Sequence, residues 1–292
     1  MFAGATPDSS SHYVAELFVT IGGGLVVLFL WYMWEKFRDR MKVKLVVRKN
    51  QKQVPGMLEL YSRLFPEDGT NYSSEEILNF LADENGIKQS THVQVEDLFL
   101  VATARNDVTG LLFCHYYPEI NYAIVTYFGI DKNLPQARKC GAERLLKQLM
   151  KILKKRKHPC ELLVFELQKP NKNLGEAQNL ERKARVGLFR QRAAMFGLRA
   201  YHVLIEYQRP KLSLDPKLTE ENLVLMCVPL GAHKSANTLP KAGVIKLLEF
   251  IHHYCYADFY SPSDPSFEIF QNYLKSRMDL YRRTLPDLVP VK

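Results

Sequence analysis

Four side chains in or beside predicted strands could take part in proton transfer. Glu166 stands between the apolar residues 162–165 and 167 of a strand predicted over residues 161–167, and Glu119 stands in a turn between two strands. His115 and Tyr127 lie in the two strands that this turn joins. A carboxylate or imidazole that faces the core has a perturbed pKa and suits a general base. The alternative for Glu166 is that strand alternation points it to solvent or into an ion pair.

A second set of residues suits the binding of a phosphate-like anion. Pro135 opens a predicted helix that carries Arg138, Lys139, Gly141 and Ala142. Small residues let an anion approach backbone N–H groups at a helix N-terminus, and nearby cations strengthen the attraction. A solvated helix start is the alternative, because a helix that proline opens needs no ligand.

Cysteine and histidine residues do not form a metal-binding pattern. The five cysteines are widely spaced and no C-x-x-C occurs, which is typical of reduced cytosolic thiols. His252, His253 and Cys255 lie close together, but neither a fourth ligand nor suitable spacing accompanies them. We therefore expect no metal site and interpret this cluster as packing in the core or against a partner.

Predicted strands and helices alternate along the chain, and these elements must position the candidate residues. The middle three strands form an antiparallel meander. A long loop over residues 208–222 predicts a crossover or a cover strand. The pattern predicts an α/β fold with a mixed, mostly antiparallel sheet flanked by helices. The predicted strands cover residues 43–47, 98–104, 110–117, 122–130, 161–167, 201–207 and 223–228, and the predicted helices cover 53–64, 75–82, 135–157, 176–195, 242–256 and 266–283.

The N-terminal region has the pattern of a single membrane-spanning helix. Leu17 to Trp34 contains 18 residues without a charge, a length of about 27 Å as a helix, with aromatic residues at both ends. Eight Lys or Arg residues follow from Lys36 to Lys52, and none precedes them. The positive-inside rule then places the N-terminus outside and the main domain in the cytoplasm. A buried core helix is the alternative.

This pattern divides the chain into five predicted parts. Residues 1–12 form a short extracytoplasmic tail, 13–35 a transmembrane helix, and 36–52 a basic juxtamembrane segment that includes the start of the first strand. Residues 43–230 form the α/β domain. Two helices then form a C-terminal extension over 231–292, which could cover the sheet, shape a pocket or build a homodimer contact.

Composition excludes several classes of protein. With 292 residues, 47% apolar residues and 24% charged residues, the chain is neither disordered nor collagen-like. A net charge of +9 favours anionic partners such as phosphates and the lipid bilayer. The basic residues of the helices over 135–157 and 176–195 form solvated faces or attract anionic headgroups. Nucleic acid is a poor candidate, because no recognition motif is present.

The element order over residues 43–230 resembles the GNAT superfamily of N-acetyltransferases. The stretch from Arg138 to Leu146 is similar to the family's Q/R-x-x-G-x-G/A motif for acyl-CoA. The strand over 161–167 leads to a polar turn with Asn171, where family members often place an asparagine that contacts CoA. Phe196-Gly197 resembles the turn that ends the family's fourth helix.

This resemblance implies an acetyl-CoA (acyl-CoA) co-substrate, an amine acceptor that is a protein or a small molecule, and no metal. By family analogy, the backbone of residues 128–130 pairs with the pantetheine arm, and a carboxylate, Glu166 or Glu119, takes the proton of the amine. The implied cofactor-binding residues are Phe128, Gly129, Ile130, Arg138, Lys139, Gly141, Ala142 and Asn171.

Two departures from the family pattern keep a second hypothesis open. Glu143 stands at the last small position of the acyl-CoA motif, where a carboxylate repels a pyrophosphate. Ala193 stands where many members have a tyrosine that protonates the leaving thiolate. The first hypothesis is a membrane-anchored, acyl-CoA-dependent N-acyltransferase. The alternative is a catalytically inactive module of the same fold, acting as a membrane-tethered scaffold or an acyl-CoA sensor.

Overall fold

A computed structural model describes residues 28–33, 41–65, 71–85, 94–104, 107–131, 133–170, 175–210, 220–230, 237–256 and 267–292. The chain divides into two compact units, Met1–Lys42 and Val43–Lys292. In the first unit, residues 28–33 are helical and their apolar side chains are exposed. The rest of the transmembrane helix predicted over 13–35 lies outside the described residues. Within the described ranges, no helix combines the length and the apolar character needed to cross a bilayer.

One seven-stranded sheet organises the second unit. The strands lie in the order β1-β2-β3-β4-β5-β7-β6. The pairs β2–β3, β3–β4, β5–β7 and β7–β6 are antiparallel, and β4–β5 is parallel. The predicted α/β fold with a mixed, mostly antiparallel sheet is therefore confirmed. The strands are β1 (Lys42–Val46), β2 (Glu96–Ala104), β3 (Asp107–Tyr117), β4 (Tyr122–Ile130), β5 (Leu162–Gln168), β6 (Tyr201–Pro210) and β7 (Glu220–Pro229).

Helices cover the sheet, and local sequence signals set where they begin. Proline lies in the first turn of α1 and of α3, where its missing N–H costs no hydrogen bond. Ser73 and Glu76 form a reciprocal capping box at the start of α2. The helices are α1 (Val54–Leu64), α2 (Ser74–Asn79), α3 (Pro135–Lys154), α4 (Glu176–Met195), α5 (Lys241–Glu249) and α6 (Phe267–Thr284).

Two apolar clusters form on the same face of the sheet. The first contains Phe113 of β3 and is covered by α1 and α2. The second contains Tyr117 of β3, four residues further along that strand, and is covered by α5 and α6. Since side chains of a strand alternate between faces, Phe113 and Tyr117 point the same way. The helix α3 packs against β2, β3 and β4, and α4 packs against β5.

The structure corrects two predictions about connections. The predicted crossover over residues 208–222 is wrong, because β6 and β7 extend towards each other and pair as far as Pro210 and Glu220. The residues at these strand ends are polar, so a hydrophobicity pattern does not predict that the strands extend this far. The single helix predicted over 242–256 is instead α5 followed by a π-helix at Phe250–Cys255.

The C-terminus returns to the sheet through a pairing that the sequence did not predict. The short strands β8 (Thr238–Pro240) and β9 (Leu288–Pro290) pair with each other. Beyond β9, Val291 forms a bridge to Val203 of β6. The predicted helical extension is thus integrated into the fold of the second unit, where it covers one end of the main sheet.

Candidate functional site

The strands β4 and β5 separate partway along their length. Their parallel pairing runs from Tyr122 opposite Leu162 to Val125 opposite Phe165, and no later pair forms between them. Beyond this point, β4 continues to Ile130 along β3, and β5 continues to Gln168 along β7. The second half of β4 therefore has a strand on only one side, and a cleft opens between the two strands.

A bulge in β4 marks the start of this cleft. The register with β3 shifts so that Thr126 has no partner between Val125 and Tyr127. The hydroxyl of Thr126 lies 3.3 Å from Nε2 of His115, and Nδ1 of His115 lies 2.6 Å from Oδ1 of Asp97. These three side chains form a polar chain from β2 across β3 to the cleft. The Asp97 and His115 side chains are both buried.

The carboxylate of Glu166 lies on the other side of the cleft. Glu166 follows Phe165, the last residue of β5 that pairs with β4. The hydroxyl of Tyr256 lies 2.7 Å and 2.6 Å from its two carboxylate oxygens. The hydroxyl of Tyr207 also donates a hydrogen bond to this carboxylate. Glu166 is half-buried, so the alternative that it simply faces solvent is wrong.

Strand register places both polar groups on the same face of the sheet. His115 of β3 lies opposite Ile124 of β4, and Ile124 lies opposite Val164 of β5. Since side chains alternate along a strand, Glu166 shares the face of Val164 and hence of His115. This is the face that α1 and α5 cover, so the two polar groups lie on the same side of the sheet.

Tyr72 lies between α1 and α2, and its backbone N–H donates a hydrogen bond to the hydroxyl of Tyr127. Burial raises the pKa of Tyr72 well above the usual value, and Tyr127, Tyr256, Cys255 and Asp97 contribute smaller shifts in the same direction. Those four neighbours belong to both sides of the cleft. A phenol with a raised pKa stays protonated, so Tyr72 can act as a hydrogen-bond donor and not as a base.

The phenol of Tyr127, which the sequence predicts as a candidate base, packs and hydrogen-bonds against the segment between α1 and α2. Its hydroxyl accepts a hydrogen bond from the backbone N–H of Tyr72 at 2.9 Å. Its ring packs edge-on against Tyr61 and Phe65 at centroid distances of 4.9 Å and 5.0 Å. Tyr127 therefore holds the segment between α1 and α2 against β4, and His115 is the better candidate for proton transfer.

The backbone of β4 beyond the bulge is closely enclosed by α1 on the same face. A Cβ atom at Gly129 would lie 2.5 Å from Cδ1 of Leu64 and 3.3 Å from Cζ of Phe65. On the opposite face, the Phe189 ring of α4 contacts Phe128 and Phe165 at centroid distances of 6.0 Å and 4.6 Å. One aromatic side chain thus spans the two strands where they separate.

The helix α3 follows β4 after a short connection, so its N-terminus comes soon after the end of that strand. It begins at Pro135 after the N-cap Leu134, so the backbone N–H groups of residues 136 and 137 have no partner within the helix. Arg138 and Lys139 lie at this end, as the sequence predicts. Gly141 is buried, and Gly141 and Ala142 lie inside the helix and not at its free N–H groups.

Two further predicted residues are not brought to the cleft. Glu119 is exposed in the turn between β3 and β4, at the opposite end of β4 from Ile130. At about 3.4 Å per residue, the length of β4 separates Glu119 from Ile130. Asn171 lies outside the described residues. Among the predicted bases, the structure therefore places Glu166, His115 and Tyr127 near the point where the strands separate. The Tyr127 hydroxyl is bound by the backbone N–H of Tyr72.

Sequence reasoning missed Asp97, Thr126 and Tyr256. The partner of Asp97 depends on the register between β2 and β3, and the bulge at Thr126 has no local signature. Tyr256 lies 90 positions from Glu166 in the chain. A signal was present only in the cluster of histidine and aromatic residues around Tyr256. In the part of the chain that the structure describes, no three His, Cys, Asp or Glu side chains are placed to hold a metal ion.

Comparison with known proteins finds similar folds but no similar sequences. No family model matches the chain, and no curated protein matches it. A solved GNAT-family protein from Bacteroides thetaiotaomicron is 14% identical over 73% of this chain and 98% of its own, with a TM-score of 0.45. An aminoglycoside 6'-N-acetyltransferase complexed with coenzyme A is 11% identical over 66% of this chain and 99% of its own, with a TM-score of 0.41.

A third solved structure is the catalytic domain of the Tetrahymena GCN5 histone acetyltransferase in complex with coenzyme A. It is 13% identical over 67% of this chain and 96% of its own, with a TM-score of 0.37. Likeness at this level assigns no activity to this chain. The function has to be inferred from the residues of this chain.

Proposed function

We propose that this protein is an acyl-CoA-dependent N-acyltransferase that transfers an acetyl group to an amine. The observation that carries the proposal is the separation of β4 from β5 after Val125 and Phe165. It leaves backbone N–H and C=O groups of residues 126–130 without a strand on the β5 side. An extended ligand with amide groups, such as a pantetheine arm, can bind to such an edge as an added strand does.

The residues around the cleft fit an acyl-CoA. The edge of β4 leads directly to the N-terminus of α3, where free N–H groups attract a phosphate. Arg138 and Lys139 lie at this end of the helix and add positive charge to it. Gly129 has no side chain, which lets Leu64 of α1 approach the backbone of β4 closely, while the edge of β4 towards β5 stays without a paired strand. When bound, acetyl-CoA supplies an activated acyl group as a thioester.

The polar groups on the covered face provide the acid–base chemistry. An attacking amine must lose a proton, and Glu166 lies at the mouth of the cleft with a carboxylate to accept it. The hydroxyls of Tyr207 and Tyr256 hold that carboxylate in place. Backbone N–H groups of the bulge at Thr126 can polarise the acyl carbonyl group.

Two substitutions within the site support the second candidate function, a catalytically inactive acyl-CoA sensor or scaffold. Ala193 is the buried residue of α4, at the position where many family members have a tyrosine. No phenol at this position can protonate a leaving thiolate. Glu143 lies two residues after Gly141, in the third turn of α3. An acyltransferase and an acyl-CoA sensor both bind acyl-CoA, and turnover distinguishes them.

The proposal includes a single N-terminal membrane anchor with the active site in the cytoplasm. It rests on the uncharged stretch from Leu17 to Trp34 and on the eight basic residues that follow it. The acceptor amine then belongs to a protein or a small molecule on the cytoplasmic side of the membrane.

Calorimetric titration of acetyl-CoA and CoA into the full chain in detergent tests the proposal. Wild type is expected to bind both, and Arg138→Glu is expected to bind them at least about tenfold more weakly because it repels the phosphates. The matched control is Lys154→Glu, the same charge reversal at the exposed C-terminal end of α3. Absence of binding to folded wild type would contradict the acyltransferase and the acyl-CoA sensor, and would leave only the scaffold.

Release of CoA thiol in the presence of an amine panel then separates the two candidates. Turnover supports the acyltransferase. Binding of acetyl-CoA without turnover on any amine supports the sensor or scaffold.

A further inference from the structure

The helix α4 presents an apolar face to solvent. Leu180, Leu188 and Met195 are 68%, 50% and 52% exposed, values unusual for large apolar side chains on one helix. Ala184 is exposed between them. At 100° per residue these four side chains lie within an arc of about 80°, which also contains one polar side chain, the exposed Gln191. We call these four residues the outer face of α4.

The opposite side of α4 packs against the sheet. Phe189 packs on Phe165 of β5, and Ala193 is buried. These residues lie on the opposite side of the helix from Leu180 and Ala184. Among the described residues, the side of α4 that packs on the sheet is therefore the one opposite the outer face.

Basic residues border the outer face on both sides. Lys183 is exposed on one side, and Arg185 and Arg192 are partly exposed on the other. Arg185 has an ion pair with Glu181 at 3.2 Å. Across the whole helix, Arg182, Lys183, Arg185, Arg190 and Arg192 stand against two acids, Glu176 and Glu181.

We propose that the outer face of α4 docks on the headgroup region of an anionic membrane. An exposed apolar stripe with basic residues on both flanks fits a bilayer surface, where the apolar side chains enter the boundary of the acyl chains and the cations contact acidic headgroups. This docking does not rest on acyl transfer. It also differs from the N-terminal anchor, which would span the bilayer and not lie on its surface.

Charge decides between a membrane and other occupants of this face. Two copies of α4 packed face to face would bring their basic flanks together, and like charges oppose that contact. A nucleic acid would use the basic flanks but leave Leu180, Leu188 and Met195 in water. An anionic bilayer satisfies the apolar stripe and the basic flanks at the same time.

A single-tryptophan reporter tests the docking in the full chain. The protein has two tryptophans, Trp31 and Trp34, so Trp31→Phe/Trp34→Phe provides a silent background. Leu188→Trp then places the reporter on the outer face, and Ile269→Trp places a control on α6, where the native side chain is 47% exposed. Both variants are mixed with nanodiscs that contain brominated acyl chains, with and without phosphatidylserine.

The Leu188→Trp reporter is expected to be quenched in phosphatidylserine nanodiscs and much less in phosphatidylcholine nanodiscs. The Ile269→Trp control is expected to be unquenched in both. Adding Lys183→Gln should shift the ratio of docked to undocked protein about fivefold, because one basic residue near the surface is removed.

Three outcomes would overturn the proposal. They are equal quenching of the two reporters, equal quenching in the two lipid compositions, and a blue shift of the Leu188→Trp reporter that needs no lipid and grows with protein concentration. The last result would assign the outer face to a second copy of this chain. None of these readouts depends on acetyl-CoA. The docking proposal and the acyltransferase proposal can therefore be contradicted independently of each other.

Discussion

The hydroxyl of Tyr256 lies within 2.7 Å of both carboxylate oxygens of Glu166. Tyr256 closes the π-helix after α5, and Glu166 follows the last residue of β5 that pairs with β4. This contact makes the C-terminal extension part of the candidate site. Of the three roles that the sequence left open for the extension, covering the sheet and shaping the pocket are the two that this contact supports.

Replacing the Glu166 carboxylate should abolish turnover without weakening cofactor binding. Glu166→Gln keeps the side-chain shape but removes the proton acceptor, and loss of a general base costs about 10²–10⁴-fold in rate. The affinity for CoA should stay unchanged, because the β4 edge and the α3 N-terminus are not altered. Calorimetry and thiol release measure the two quantities on the same protein.

Glu119→Gln is the matched control for this experiment. It makes the same change in the exposed turn between β3 and β4 and should leave turnover at the wild-type level. Tyr256→Phe should give a smaller loss than Glu166→Gln, since Tyr207 still donates to the carboxylate. Full turnover by Glu166→Gln would exclude it as the base and direct attention to His115.

Asp97 and His115 should be coupled energetically. Both side chains are buried and their polar atoms lie 2.6 Å apart, so loss of either one leaves the other without this partner. Asp97→Ala should lower the free energy of unfolding by about 1–3 kcal/mol. In a double-mutant cycle with His115→Phe, the coupling should be of the same order. Denaturant melts of the four proteins measure it, and additive effects would show that the pair contributes nothing.

Local sequence signals were enough to predict the elements that carry the site. Alternating apolar residues marked β3 and β4, and Pro135 marked the start of α3. Glu166 stood out because it is the one acid within an apolar strand of seven residues. These signals act over a few neighbouring residues, so the sequence contains them directly.

The contacts that complete the site depend on distant parts of the chain. Asp97 meets His115 only through the register of β2 on β3, and a shift of one residue would place it on the other face. The bulge that exposes Thr126 results from packing of β4 against β3. Tyr256 reaches Glu166 because the extension folds back on the sheet. Periodicity within one segment cannot predict such contacts.

Two glycine-to-alanine changes should have opposite effects on stability. At Gly129 the added Cβ would lie 2.5 Å from Cδ1 of Leu64, so Gly129→Ala forces the Leu64 side chain to shift and should cost about 1 kcal/mol. At Gly187, within α4, nothing lies within 4 Å of the added atom. Gly187→Ala should therefore stabilise by about 0.5–1 kcal/mol, because alanine favours a helix more than glycine does.

Denaturant unfolding of both variants gives the two free energies, and calorimetry gives a second test. Gly129→Ala should also weaken CoA binding, since it alters the edge that the pantetheine arm would use. Gly187→Ala should not change binding. A Gly129→Ala protein with wild-type stability and affinity would show that the approach of Leu64 to β4 is not a constraint.

His252 should make the fold less stable in mild acid. Its ring is fully buried among Tyr207, Tyr256 and Tyr281, at centroid distances of 6.2–6.4 Å, and neither ring nitrogen has a hydrogen-bond partner among the described residues. Burial, with a smaller contribution from His253, lowers its pKa from 6.5 to about 4. The folded state therefore keeps His252 neutral at a pH where the unfolded chain binds a proton.

The sign and the pH window follow from these two pKa values. Above pH 6.5 the group is neutral in both states and does not change stability with pH. As the pH falls from 6.5 towards 4, only the unfolded chain takes up the proton, so the free energy of unfolding decreases by about 2 kcal/mol between pH 7 and pH 5. Below pH 4 both states are protonated and this contribution levels off.

Urea unfolding of wild type and His252→Phe from pH 7 to pH 5 isolates this contribution. Burial, Arg190, Lys292 and Lys169 also lower the pKa of His202, so wild type has a second histidine with the same sign of pH dependence. That contribution is common to both proteins and cancels in their difference. The variant should lose about 2 kcal/mol less than wild type over this range. Equal losses would mean that His252 gains a proton or a partner in the folded state, since only then would its folded and unfolded pKa values agree.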